Sequence, residues 1–250
     1  MSKYIANDLF NDKISIYVTE CLSTNDFLIN LLKKDKIKEG DSVISDFQYK
    51  GRGQRKNNWI SEKKSNILFS FLLSPDLKVE NQFYLHVIIS LAILKCLKEF
   101  DINPKIKWPN DIYVNKKKIA GILIENFIFK KKVQNSIIGI GLNLNQKIFN
   151  NVSATSVFIE RKKKIDKKNF ILVLKKFIAS EYKDFKTNIK KKINQYKIVL
   201  YGLNQIKKYK TSSGVVDAKV VDISSNGDII LNIKDKEKIF SHGSLSLLED

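Results

Sequence analysis

Residues 112–145, IYVNKKKIAGILIENFIFKKKVQNSIIGIGLNLN, constrain the fold more than any other stretch of the chain. Three runs rich in β-branched and apolar residues follow one another with only NKKK and KKK between them. Turns that short join antiparallel neighbours, so the segment predicts an antiparallel meander. Gly139 and Gly141 interrupt the last run. Glycine weakens a strand and marks places where a ligand or another backbone comes close.

The flanking sequence supplies further strands and helices. ISIYVTE (14–20) has strand composition and runs into a helix that starts at Ser23 or Thr24, where Ser23 and Asp26 form an S-x-x-D start signal. Phe27, Leu28, Leu31 and Leu32 then recur at helical spacing. SVISDFQ (42–48) and NILFSFLLS (66–74) read as strands that bracket GRGQRKNNW (51–59). A long apolar helix is expected over Gln82–Phe100, then a short strand at KIKW, broken by Pro109. Residues 167–201 return to helical periodicity, with Phe170, Leu174, Phe177, Ile178 and Tyr182 along one face. After Gly202, short strands separated by SSG, SSNGD and KDKE predict a small β-barrel-like module, hence a division into residues 1–202 and 203–250.

A chain of 250 residues with 43% hydrophobic content is able to bury a sizeable core. ILFSFLL and VIISLAIL are too short to span a bilayer, and MSKYIANDLFND lacks the apolar stretch of a secretory signal, so a cytoplasmic protein is expected. About a dozen residues before the first strand are too few for a helix-turn-helix unit, and no DNA operator binding is expected. Cys21 and Cys96 are the only cysteines and His86 and His242 the only histidines, which argues against structural zinc or a disulfide framework. Cys21 reads as a small buried thiol and His86 as a packed or surface imidazole. The net charge of +19 comes from lysines scattered over turns and solvated helix faces rather than from one nucleic-acid-binding patch.

In GRGQRKNNW, two glycines allow a tight turn, Arg52, Arg55 and Lys56 supply donors for an anion, and Trp59 offers a face on which a base can stack. Taken alone, the run reads first as a basic surface turn. In order along the chain, however, come STN (23–25), FQYKGRGQRKNNW (47–59), KWPND (107–111), KIAGILIE (118–125) and GIGLNLN (139–145). This set closely resembles the biotin protein ligases, over essentially the whole chain. The resemblance implies an α+β fold similar to class II aminoacyl-tRNA synthetases, a mixed and mainly antiparallel sheet with helices on one face, followed by a small SH3-like β domain.

It also implies a reaction: biotin is activated by ATP to biotinyl-5′-AMP, pyrophosphate leaves, and biotin passes to a lysine of a biotin carboxyl carrier protein domain, of acetyl-CoA carboxylase or a related carboxylase. By resemblance, Lys107, Arg52 and Arg55 are catalytic. Biotin falls to Ser23, Thr24, Asn25, Gln48, Gly51, Arg52, Gly53, Gln54, Lys107, Gly121, Gly139 and Gly141, and the nucleotide to Arg55, Lys56, Trp59, Asn110 and Asn143. Mg²⁺ is implied, and Asp111 either holds it or caps the turn after Pro109. Family members include monomers and homodimers. Many carry arginine where this chain has Gln54 and Asn57, which makes adenylate retention the property most open to change. The alternative readings are a lipoate or octanoate ligase or transferase of similar fold, and a nucleic-acid-binding β module.

Overall fold

The computed structural model describes residues 9–150, 152–183 and 185–248. The N-terminal stretch read for a signal peptide lies mostly outside them, as does the side chain of Lys56. Eight strands form the larger sheet: β1 (Ser15–Cys21), β2 (Ser42–Gln48), β3 (Ile67–Leu73), β4 (Leu77–Lys78), β5 (Lys105–Lys107), β6 (Asp111–Val114), β7 (Lys117–Phe129) and β8 (Lys132–Leu142). Their order is β1-β2-β3-β8-β7-β6-β5, with β4 paired to β8, and only β1 and β2 run parallel. The expected meander is β6-β7-β8. Its turns place Asn115 and Lys116, and then Lys130 and Lys131, in the left-handed region, the backbone geometry of tight two-residue hairpins.

Strand alternation divides this sheet into two unlike faces. Ile67, Phe69, Phe71 and Leu73 of β3, with Ile138, Ile140 and Leu142 of β8, join the main core. Against that core pack α2 (Phe83–Glu99), α4 (Lys167–Lys183) and α5 (Phe185–Ile198). Helix α2 is apolar on nearly every side, the pattern of a helix buried all round, and it lies between the sheet and the α4/α5 pair. The opposite face presents Leu68, Ser70, Gly139 and Gly141, and α1 (Thr24–Leu32) lies on it through Leu28, Val43, Leu72 and Ile137. Ser23 caps α1 by accepting from the Asp26 N–H at 3.5 Å. The single helical stretch expected over 167–201 is two helices, and a short α3 (Val157–Arg161), capped by Ser156, went unread in the sequence.

The chain leaves α5 by pairing Leu200 with Ile106 of β5, then enters a second, all-antiparallel sheet. Its strands are β9 (Ile206–Thr211), β10 (Gly214–Ile223), β11 (Ile229–Ile233), β12 (Lys236–Phe240) and β13 (Leu245–Leu248), in the order β12-β11-β10-β9-β13. Contacts to Trp108, just after β5, and to Phe83 of α2 help seat this sheet. Trp108 donates its indole N–H to the Gly227 carbonyl at 2.7 Å, and Gly227, at φ +91°, lies flat against the Phe83 ring. A Cβ on Gly227 would stand 2.3 Å from that ring. Gly227→Ala is therefore expected to cost about 1–3 kcal/mol in chemical denaturation, through strain at positive φ and overpacking. A loss within error of zero would mean that the second sheet is seated by other contacts.

His86 of α2 keeps a ring edge partly exposed, but its Nδ1 is shut away with no hydrogen-bond partner among the described residues. Burial, and secondarily His242, push its pKa down to about 4. The unfolded chain then binds a proton that the folded chain refuses, so stability is full above pH ~6.5 and falls as the pH drops toward about 4. With allowance for the exposed edge, the expected loss is about 1–2 kcal/mol. His86→Leu should flatten stability between pH 7 and 4.5 in urea titrations, whereas an unchanged slope would assign acid sensitivity to other groups.

Candidate functional site

The strand register gathers the separated motifs into one row. Lys107 of β5 pairs with Asp111 of β6, Asp111 with Gly121 of β7, Gly121 with Gly141 of β8, and Gly141 with Leu68 of β3. These residues share the face away from α2, and above them lies a cavity of about 310 Å³. Ser23, Thr24, Asn25, Gln48, Arg52, Gly53, Gln54, Arg55, Trp59, Lys107, Asn110, Asp111, Gly121, Gly139 and Gly141 all line it. Gly51 and Asn143 lie outside the lining. Asn143 is buried and spends its amide on the Thr155 carbonyl at 2.9 Å, pinning the end of β8 to the following loop.

One end of the cavity is rich in amide and hydroxyl groups. Gln48 accepts from the Thr24 N–H at 2.7 Å and from its hydroxyl at 2.9 Å, while the single proton of the Ser70 hydroxyl is shared between Thr24 Oγ1 at 2.7 Å and Asn25 Oδ1 at 2.6 Å. Asn25 lies against Gly139, where a Cβ would come within 2.3 Å of its Oδ1. The glycine is needed for the asparagine as much as for any ligand.

Two residues further along β8, the indole of Trp59 lies over Gly141 and Gly121, where added Cβ atoms would stand 2.4 and 3.1 Å from it. The indole N–H is buried without a partner among the described residues. The loop carrying Trp59 is a small hairpin: Gly53 donates to Asn57 at 2.7 Å and Trp59 to Gly51 at 2.9 Å. At its tip Arg55 adopts φ 56° and donates to the Gly243 carbonyl of the second sheet at 3.1 Å. Arg52, at its base, pairs with Asp26 at 2.8 Å and Glu125 at 2.6 Å.

Elsewhere in the lining stand the cations Lys107 and Lys118. The Lys107 ammonium donates to the Tyr113 hydroxyl at 2.8 Å. Lys118 lies 2.7 Å from Asp111 and 5.4 Å from the centre of the Trp59 ring. Lys118 was missed as an individual residue, and the reason is geometric. Strict alternation assigns Lys118 and Gly121 to opposite faces, but Tyr113 pairs with Lys118 while Ile112 pairs with Ala120, which leaves Ile119 as an extra residue. The bulge re-aims Lys118 into the cavity, a device common beside active sites. Trp108, His242 and Gly243 also line the cavity, and the latter two arrive from a region with no motif to announce them. Partial burial, then the Arg55 guanidinium, hold the His242 imidazole below its ordinary pKa.

Gly141→Ala is expected to lift the Trp59 indole while leaving the fold intact. Acrylamide quenching of Trp59, read in a Trp108→Phe background, should rise clearly for Gly141→Ala and less for Gly121→Ala, in the order of the two clearances. Equal quenching in all three proteins would show that the glycines do not seat the indole.

The profile described as Biotin/lipoate A/B protein ligase family matches residues 17–143. The bifunctional ligase/repressor BirA of Bacillus subtilis is 29% identical over 233 residues, covering 89% of this chain and 71% of that protein. Biotin–protein ligase 1, chloroplastic, of Arabidopsis thaliana is 37% identical over 114 residues, 42% of this chain and 30% of that protein. Among solved structures, the biotin protein ligase from Aquifex aeolicus in complex with biotin and ATP superposes with a TM-score of 0.80 at 30% identity, covering 95% of this chain and all 100% of that one. With its motifs, fold and cavity in agreement, the chain belongs to the biotin/lipoate A/B protein ligase family.

Proposed function

We propose that this protein is an ATP-dependent biotin protein ligase, which forms biotinyl-5′-AMP and pyrophosphate and then transfers biotin to a lysine of a carrier protein. The observation that carries this reading is what one cavity brings together: the hydrogen-bonding side chains of Thr24, Asn25 and Gln48 beside Gly139, and the cations Lys107, Lys118 and Arg55 elsewhere in the lining. A ureido group needs both donors and acceptors, which Thr24, Asn25 and Gln48 offer from positions fixed in part by the Ser70 hydroxyl behind them. A carboxylate attacking an α-phosphate brings two anions together, and preorganised cations offset that repulsion as the P–O bond forms and pyrophosphate leaves.

Lys107, Lys118 and Arg55 are the cations we assign to this task, with Asn110 and Trp59 toward the nucleotide. Asp111 neutralises Lys118 at 2.7 Å until an anionic substrate competes for the ammonium. Among the described residues no group of three His, Cys, Asp or Glu side chains forms a metal cage. Mg²⁺ suits such a site when one carboxylate, here Asp111, works together with substrate phosphates, whose charge the ion would neutralise. The unpartnered Trp59 N–H is a buried donor that a ligand acceptor would satisfy. In the transfer step the carrier ε-amine attacks the acyl carbonyl and AMP leaves.

For the carrier we propose a biotin carboxyl carrier protein domain of acetyl-CoA carboxylase or a related carboxylase. We also take residues 1–202 as the ligase domain and 203–250 as a separate C-terminal domain, a division supported by each having its own sheet. A cysteine-dependent acyl transferase is disfavoured: Cys21 does not line the cavity, and burial raises its thiol pKa, against thiolate formation.

Biotin-dependent exchange of labelled pyrophosphate into ATP tests the reading. Wild type should exchange with biotin and not with lipoate or octanoate, and Lys107→Ala and Lys118→Ala should each lose about 10²–10³-fold. Absence of exchange in the wild type with Mg²⁺ present would overturn the assignment, and productive lipoate would transfer it to the sister activity.

A further inference from the structure

Arg52 lines the cavity, but its guanidinium is turned to two acids. Its Nη2 lies 2.6 Å from Glu125 Oε2 on β7 and 2.8 Å from Asp26 Oδ1 on α1. The same Glu125 oxygen accepts from Asn25 Nδ2 at 2.7 Å. Asp26 closes the S-x-x-D start and is the third residue of α1, where a carboxylate is favoured by the helix N-terminus. One guanidinium thus ties the base of the glycine loop to a helix and a strand separated from it by tens of residues in sequence. Directly beyond it, Arg52 bridges Asn58 and Gly53 bonds Asn57, so whatever holds Arg52 holds the hairpin that carries Trp59.

From this geometry we infer that Asp26 and Glu125 are positioning residues, a latch that acts through Arg52 to keep the glycine loop closed over the cavity. Two carboxylates hold the Arg52 guanidinium at the base of the loop, so its first role is to hold that loop. All three latch groups are partly solvated, with side-chain exposures of 38% for Arg52, 42% for Asp26 and 26% for Glu125. A latch of this kind holds the loop while letting it reopen. The inference rests on the ligase reading for its chemical consequence: a looser latch lets the acyl-adenylate escape before transfer.

Limited trypsin digestion of the ligand-free protein reads the latch without reference to chemistry. Asp26→Asn with Glu125→Gln should speed cleavage after Lys50, Arg52 and Arg55 by roughly three- to tenfold while the thermal midpoint stays in place. In an Arg52→Met background the same pair of substitutions should add nothing, since the group they hold is gone. With biotin and ATP, the acidic variants should release more free adenylate per biotin transferred, with the exchange rate largely kept. Loop cleavage at the wild-type rate, or equal acceleration in the Arg52→Met background, overturns the latch. Faster cleavage in a protein that shows no biotin-dependent exchange supports the latch and overturns the ligase reading alone.

Discussion

The antiparallel pairing of β7 with β8, with Gly121 opposite Gly141, is the contact on which the rest of the site depends. It completes the row from Lys107 through Asp111 to Leu68, and it leaves a shallow floor, free of Cβ atoms, on which the Trp59 indole lies. A slip of one residue would turn the glycines toward α2 and swing the Ile122 and Ile140 side chains out of the core toward the Trp59 indole. The main core prevents that slip, because Ala120, Ile122, Ile138 and Ile140 must all remain on the face that α2 covers. The burial that stabilises the fold is therefore also what sets the register of the site.

On that floor the cavity is electrically prepared in two different ways. Lys118 is balanced by Asp111 and Arg52 by Asp26 and Glu125, whereas Arg55 donates to a neutral acceptor, the Gly243 carbonyl, and the Tyr113 hydroxyl is one of the groups that orient Lys107. Carboxylate partners neutralise a cation and neutral acceptors only aim it. The net charge of +19 therefore says little about the site, which is governed by these few pairings.

The second sheet takes part in the site as well as adjoining it. Trp108, inside KWPND, is anchored by Gly227, and the tip of the glycine loop reaches Gly243. Two motifs read from the larger sheet thus have their partners in the smaller one. Gly227 and Gly243, both in turns of the smaller sheet, thus link that sheet to the cavity.

Much of this was legible in the sequence because it is written in local chemistry. The meander, the capped start of α1, the apolar α2 and the glycine loop between two strands follow from turn residues, capping and periodicity, which act over a few residues. The motif residues were legible too, and most of them line one cavity. Tertiary structure alone decided the rest. The bulge at Ile119 turns Lys118 inward, Asp26 and Glu125 meet Arg52 across three elements, and Asn143 turns away from the cavity to Thr155. Each of these depends on strand register or on contacts between residues distant in sequence. A one-residue change in pairing reverses a side chain, and no local propensity encodes which residue will be the extra one.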